Sequence, residues 1–142
     1  MIENGASYIN EALIEATVNV NLGVAQCLME HGADINYKDN NGKTALTLAL
    51  ENEKLRIVAY FIEKCGDINA KYDFNNYKGM TILMIASLLG KLETVKYLIK
   101  NGADVNIENY ECNTALDLAE KLDIDKDIKE EIIKSLKEAG AI

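Results

Sequence analysis

The residue types that carry chemistry are few in this chain, and the single histidine illustrates this. His31 has Asp34 nearby in sequence, but no second histidine and no catalytic cysteine pattern accompanies it, as a general base or a metal ligand would require. Because His31 precedes Gly32 at a predicted helix end, a cationic imidazole would instead complement the helix dipole. We therefore predict a surface role for His31 and no catalytic histidine.

The three cysteines match no zinc-ligand spacing. Cys27 occupies a predicted helical position, so we expect it to be packed and inert. Cys65 and Cys112 occupy a helix end and a turn where other copies of the repeat described below have glycine, so these two thiols are expected to be exposed. An odd number of cysteines without an export signal favours reduced thiols over a disulfide framework.

Three alternating acids, Asp123, Asp125 and Asp127, resemble the opening of a calcium-binding loop. The pattern then fails, because Ile128 stands where glycine is needed and Lys134 where a bidentate glutamate is needed. We predict a solvated loop with acids at a helix N-terminus, and no metal. Phosphate-binding glycine loops and the nucleophile-elbow motif are missing from the sequence. The chain is therefore predicted not to be an enzyme and to need no cofactor.

The charge balance narrows the class of partner. Lysine and arginine total 15 against 23 aspartates and glutamates, a net charge of -8, which repels nucleic acid and acidic lipid surfaces. The N-terminus has no signal-peptide pattern, and no stretch approaches about 18 uninterrupted apolar residues. We predict a soluble, cytoplasmic protein without nucleic-acid or membrane partners, leaving open secretion by a route that needs no signal.

Two short phrases recur along the chain and define a repeat. Gly-Ala-Asp-Ile/Val-Asn, or a close variant, occupies 32–36, 65–69 and 102–106, and Thr-x-Leu occupies 44–46, 81–83 and 114–116. The aspartates of the first phrase, Asp34, Asp67 and Asp104, are 33 and then 37 residues apart. Asn36 to Thr44 spans 8 residues but Asn69 to Thr81 spans 12, so four extra residues lie in this later connection.

Between the phrases, apolar residues recur at three- and four-residue steps, as in Leu55, Val58, Phe61 and Ile62, which predicts amphipathic helices. Each repeat contains two helices. The threonines of the second phrase are suited to cap the first helix, and Gly32 and Gly102 are suited to close the second. Tight reversals are predicted at 39–42 and 76–79, both ending in glycine.

A period of about 33 residues with a turn and two helices is typical of ankyrin repeats, and the sequence resembles that family. The family unit runs roughly Asp-x-x-Gly-x-Thr-Pro-Leu-His-x-Ala, a helical stretch and Gly-Ala-Asp-Val-Asn. The matching residues are Asp39, Gly42, Thr44, Leu46, Ala49, Gly79, Thr81, Leu83, Ala86, Gly90, Gly102, Ala103, Asp104 and Asn106. The resemblance implies an all-α ankyrin-repeat solenoid of about four helix-turn-helix units with short hairpin-like fingers.

We predict one domain over residues 1–142. Its repeats are assigned at about 6–38 (a degenerate N-cap), 39–71, 76–108 and 109–142 (a C-cap), with an insertion at 72–75. The sequence departs from the family pattern at Thr47, Met84 and Asp117, which replace its histidine. The hydrogen bonding that the histidine supplies is then expected to be reduced, and with it the stability of the array.

The resemblance implies a protein-protein interaction module or scaffold that binds another protein through its concave surface of fingers and first helices. A regulatory ankyrin fragment of a larger protein, and a small-ligand binder or enzyme, are the alternatives. By register, six apolar residues should face solvent, namely Tyr77, Met80, Leu88, Leu89, Tyr110 and Leu122, and the insertion lengthens the finger of the third repeat. The predicted partner-binding residues, in an expected monomer, are Lys43, Tyr72, Phe74, Tyr77, Lys78, Met80, Leu88, Leu89, Tyr110, Glu111, Asn113 and Leu122.

Overall fold

The computed structural model of the protein describes residues 2–65 and 67–142. Its elements are α1 (Ile2–Val18), α2 (Leu22–Glu30), α3 (Ala45–Glu51), α4 (Leu55–Cys65), β1 (Lys71–Phe74), β2 (Tyr77–Thr81), α5 (Ile82–Leu88), α6 (Leu92–Lys100), α7 (Ala115–Glu120) and α8 (Lys126–Glu138). The predicted helix pairs are confirmed. They divide into two compact units, Met1–Lys64 and Cys65–Ile142, which are described separately.

In the first compact unit, α1 packs against α2 and α3. Small residues at the same position of successive first helices, Ala16 and Ala49, are buried and allow close helix packing. The rest of this core is aliphatic and aromatic, and its fully buried members are Leu13, Ala25, Leu50, Ile57, Val58 and Phe61. Burial of such side chains is the main favourable contribution to folding.

In the second compact unit, α5 packs against both α6 and α7, and α8 packs against α6 and α7. β1 and β2 form a two-stranded antiparallel sheet whose strands also contact α5. The fully buried core side chains of this unit include Met80, Ile82, Leu83, Ile85, Val95, Leu98, Ile132 and Leu136. The hairpin is therefore held by the helical core.

The predicted threonine caps are confirmed at three helices. The Thr44, Thr81 and Thr114 hydroxyls each accept a hydrogen bond from the backbone N–H three residues on, at 3.2 to 3.3 Å. Thr47 and Asp117 complete reciprocal caps, because their side-chain oxygens accept from the backbone N–H of Thr44 and Thr114 at 2.9 Å. Two of the three residues that replace the family histidine thus restore side-chain hydrogen bonding.

The aspartate of the first phrase shapes its own loop. Its carboxylate accepts a hydrogen bond from the N–H two residues on at 2.9 Å in all three copies, at 34–36, 67–69 and 104–106. The asparagine then links to the following repeat: Asn69 Oδ1 accepts from the N–H of Asp104 (2.8 Å) and Asn106 Oδ1 from that of Ile142 (3.2 Å). The recurrence of the phrase therefore has a structural cause.

At residues 71–81 the predicted hairpin-like finger is a two-stranded antiparallel β-hairpin, so the fold is mostly helical but not strictly all-α. The inserted residues supply most of β1, which gives β2 a partner for backbone hydrogen bonds. The chain consequently reverses at Asn75–Asn76, with Asn75 at φ 53°, and the tight reversal predicted at 76–79 is wrong because most of those residues belong to β2. Gly79 keeps a positive φ of 72° within the strand.

The first repeat exposes apolar side chains at the end of α1 and the start of α2. Val18, Val20 and Val24 are 49%, 47% and 44% exposed.

Candidate protein-interaction surface

The finger hairpin, residues 71–81, buries two of the side chains that were predicted to bind a partner. Met80 is 0% exposed, so the prediction that it faces solvent is wrong, and Phe74, also predicted to bind a partner, is buried as well at 3% exposed. Because successive side chains of a strand point to opposite faces, a hairpin lying on α5 must bury one of its faces, and these apolar residues occupy that face. They anchor the hairpin.

The remaining predicted residues differ in exposure. Tyr110, at 70%, is the most exposed of the apolar candidates, and Lys78 and Glu111 are also exposed. Seven others are partly buried: Lys43, Tyr72, Tyr77, Leu88, Leu89, Asn113 and Leu122. Solvent-facing side chains therefore concentrate at the finger hairpin and at the turn that carries Tyr110.

Tyr110 is exposed but its position is held by the neighbouring finger. Its backbone N–H donates to the carbonyl of Lys78 (3.1 Å), and its ring covers Gly79 so closely that a Cβ there would lie 2.7 Å from two ring carbons. The Lys71 ammonium lies 5.6 Å from the ring centroid and donates to the carbonyl of Glu108 (3.0 Å). The ring is thus set in a defined place on the surface.

Asn109 is a structural position of this surface that the sequence interpretation missed. Its side-chain oxygen accepts from the N–H groups of Glu111 (2.9 Å) and Asn113 (3.0 Å), and its amide nitrogen lies 3.4 Å from the sulfur of buried Met80. Asp39 makes the same two backbone contacts in the second repeat. Because Asn109 occupies the same repeat position as Asp39, the sequence could have indicated this role. Asn109 therefore ties the Tyr110 turn to the finger hairpin.

Equivalent positions in three repeats show why the third differs. Lys43 forms an ion pair with Glu51 at 2.7 Å in the second repeat, and Lys121 donates to Asn113 Oδ1 at 3.2 Å in the fourth. In the third repeat these positions are Met80 and Leu88. At these two positions, the third repeat therefore has an apolar pair where the second and fourth repeats have a polar contact.

Leu89 and Leu122 do not join the finger residues. They follow the C-terminal ends of α5 and α7, whereas the fingers precede the N-terminal ends of those helices. The seven residues of α5 extend about 10 Å at about 1.5 Å per residue. The structure therefore divides the predicted binding residues of the second compact unit between its finger end and its turn end.

Comparison with known proteins agrees with this repeat geometry. A family model described as ankyrin repeats (three copies) matches residues 4–72, and a second, described as ankyrin repeats (many copies), matches residues 64–119. The chain belongs to the ankyrin repeat family. Ankyrin repeats generally mediate protein-protein interaction and are generally not catalytic.

This ankyrin protein is also similar to alpha-latroinsectotoxin-Lt1a from Latrodectus tredecimguttatus. The two are 49% identical over 43 residues, which make up 30% of this chain and 3% of that protein. The chain thus matches a small part of a much longer relative.

One of the cysteine thiols of this ankyrin protein, that of Cys27, differs in exposure from the prediction. Cys27 is exposed, so its predicted packing is wrong; the equivalent Tyr60 and Tyr97 are only partly buried, which puts this position at the rim of the helix pair. Cys112 is exposed as predicted. The side chain of Cys65 lies outside the described residues.

His31 ends α2 as expected, with its Nδ1 donating to the carbonyl of Cys27 at 2.7 Å. Asp125 caps α8 by accepting from the N–H groups of Asp127 and Ile128. Among the described side chains, those of residues 8–64 and 67–142, no group of three or more His, Cys, Asp or Glu is arranged to hold a metal ion. Over residues 2–65 and 67–142, no helix combines the length and the apolar character needed to cross a membrane.

Proposed function

We propose that this ankyrin protein binds a protein partner through the exposed side of its finger hairpin and the adjoining Tyr110 turn. This finger surface comprises Tyr72, Tyr77, Lys78, Tyr110 and Glu111. The observation that carries the proposal is Tyr110, which is 70% exposed although its ring and backbone are both held in place. A pre-positioned tyrosine loses little conformational entropy on binding and is a favoured interface anchor.

The wider proposal is a single, monomeric, cytoplasmic domain of four repeats stacked as a solenoid, without enzymatic activity and without nucleic-acid or membrane partners. Repeat arrays offer extended concave surfaces to other proteins, and the binding role of ankyrin repeats in general supports this. The 43-residue match to the toxin supports no toxin activity here.

The long relative favours one alternative setting for the same surface. Because the matched segment is 3% of the toxin, similar sequence occurs as a small part of a far larger protein. In that setting, this chain would act as the regulatory ankyrin segment of a longer protein. The finger surface would then hold its partner, or another domain, by the same contacts.

The proposal is tested with a variant that truncates two side chains at the start of β2 in the finger hairpin. Tyr77→Ser with Lys78→Ser should abolish co-purification of the partner from native cells, identified by mass spectrometry, and weaken the purified complex about thirtyfold, as loss of roughly 2 kcal/mol at an interface hot spot implies. The matched control is Asn40→Ser with Asn41→Ser, the equivalent positions of the second repeat.

Both variants should keep the far-UV circular dichroism and melting temperature of the unmodified protein, because the mutated side chains are exposed or partly buried. Capture that persists in the Tyr77/Lys78 variant would remove the finger surface from the proposal. Equal loss in both variants would show that the contact is not specific to the finger hairpin.

A further inference from the structure

A second apolar surface lies at the opposite end of α5 and α7 from the fingers. We call it the turn-end patch, and it consists of Leu89, Gly90, Leu122, Ile124 and Ile128. Ile124 and Ile128 are 38% and 39% exposed, and Leu89 and Leu122 are partly buried. Leu89 and Gly90 belong to the turn after α5, Leu122 and Ile124 to the connection between α7 and α8, and Ile128 to the first turn of α8.

Local contacts hold the turn-end patch together. Gly90 has φ 71°, and a Cβ on it would lie 2.8 Å from the Cδ1 of Ile124, so Ile124 lies across the end of α5. Lys129 Nζ donates to the carbonyl of Leu122 at 3.0 Å. Because Asp125 caps α8 beside Ile128, the connection between α7 and α8 is fixed at both ends.

The fold does not require apolar residues at this turn. The equivalent turn of the second repeat is Asn52-Glu53-Lys54, and Glu53 adopts φ 56°, close to the 71° of Gly90. The same backbone is therefore built with polar side chains elsewhere in this chain. Clustered apolar exposure of this kind marks interaction sites.

Carboxylates surround the turn-end patch. Glu120, Asp123 and Asp127 are exposed, and within the described part of the chain no ion pair or side-chain hydrogen bond engages them. The lysines next to them in sequence are directed elsewhere, since Lys121 donates to Asn113 and Lys126 pairs with Glu130 at 3.7 Å. The rim of the patch therefore carries three unpaired carboxylates, with the Lys129 ammonium on the Leu122 carbonyl as the cation beside them.

We propose that the turn-end patch docks a basic amphipathic helix of a partner protein. Its apolar face would cover Leu89, Leu122 and Ile124, and its flanking lysines or arginines would pair with the carboxylate rim. An acidic helix would place like charges together at this rim. The inference rests on the proposed protein-binding function, but its surface is separate from the finger surface.

The test uses a synthetic amphipathic helix of leucine and lysine, with a leucine-glutamate helix of the same pattern as control. Fluorescence anisotropy measures Kd, and chemical-shift changes in the labelled protein locate the site. Glu120→Lys with Asp123→Lys should raise Kd at least tenfold. Glu30→Lys with Glu63→Lys changes the net charge equally at exposed positions of the first compact unit and should leave Kd within twofold.

The expected shift changes centre on Leu89, Leu122, Ile124 and Ile128, and the leucine-glutamate helix should not bind. Equal weakening by the two charge reversals would overturn the proposal, because binding would then reflect only the net charge of -8. Shift changes centred elsewhere, or equal binding of the two helices, would also overturn it. The shift map of the unmodified protein decides the matter if a charge reversal fails to fold.

The Tyr77→Ser, Lys78→Ser variant separates this inference from the finger proposal. It should bind the leucine-lysine helix as the unmodified protein does. The two proposals can therefore fail separately: loss of helix binding with partner capture intact counts against the turn-end patch alone, and the reverse outcome counts against the finger surface alone.

Discussion

Gly79 is the position where a single added methyl group should have the largest readable effect. Its φ of 72° costs a non-glycine residue about 1–2 kcal/mol. An added Cβ would also lie 2.7 Å from Cδ1 and from Cε1 of Tyr110, so the ring must move, at about 1–3 kcal/mol for overpacking. Gly79→Ala should therefore lower the free energy of unfolding by about 2–5 kcal/mol.

Two matched variants separate backbone strain from the collision with Tyr110. Gly42 occupies the equivalent position of the second repeat at φ 76° with no atom within 4 Å of an added Cβ, so Gly42→Ala should show the strain alone. In a Tyr110→Ala background, Gly79→Ala should likewise cost only about 1–2 kcal/mol. The double-mutant cycle then gives a coupling of about 1–3 kcal/mol between Gly79 and Tyr110.

Urea denaturation followed by circular dichroism measures these differences through the midpoint and the slope. The slope should stay constant, because the variants change stability and not the surface exposed on unfolding. A coupling near zero, with equal costs at Gly79 and Gly42, would refute the packing of Tyr110 on Gly79. The finger surface would then lose the fixed tyrosine on which the proposed function depends.

Two further substitutions should stabilise the protein. Cys112 adopts φ 62° where equivalent repeats have glycine, so Cys112→Gly should raise the free energy of unfolding by about 1 kcal/mol in urea denaturation; an unchanged or lower value would contradict the strain. Ser87 is 0% exposed and, in the described part of the chain, its hydroxyl has no hydrogen-bond partner. Ser87→Ala should therefore raise the free energy of unfolding by roughly 1 kcal/mol, which a higher melting temperature would show. Ser135→Ala is the control: its hydroxyl donates to Glu131 at 2.8 Å, so a gain there as well would mean that the Ser87 hydroxyl is not the cause.

Local features of this chain were determined by the sequence itself. Thr44 and Thr114 cap helices because a threonine oxygen reaches an N–H three residues on, and Gly32 and Gly102 end helices at φ 93° and 88°. Such interactions join residues a few positions apart, so spacing alone predicts them. The period and its four-residue insertion could also be predicted, because the two recurring phrases and the spacing between them are visible in the sequence.

Only the tertiary structure decided which candidate side chains meet a partner and which form the core. Register predicted Met80 at the surface, but a paired β1 presses the hairpin against α5 and buries it. The contact of Tyr110 with Gly79 joins residues 31 positions apart, and the separation of Leu89 and Leu122 from the fingers follows from the length of a helix. These outcomes depend on distances between elements, which a one-dimensional pattern does not contain, whereas the caps and turns depend only on near neighbours along the chain.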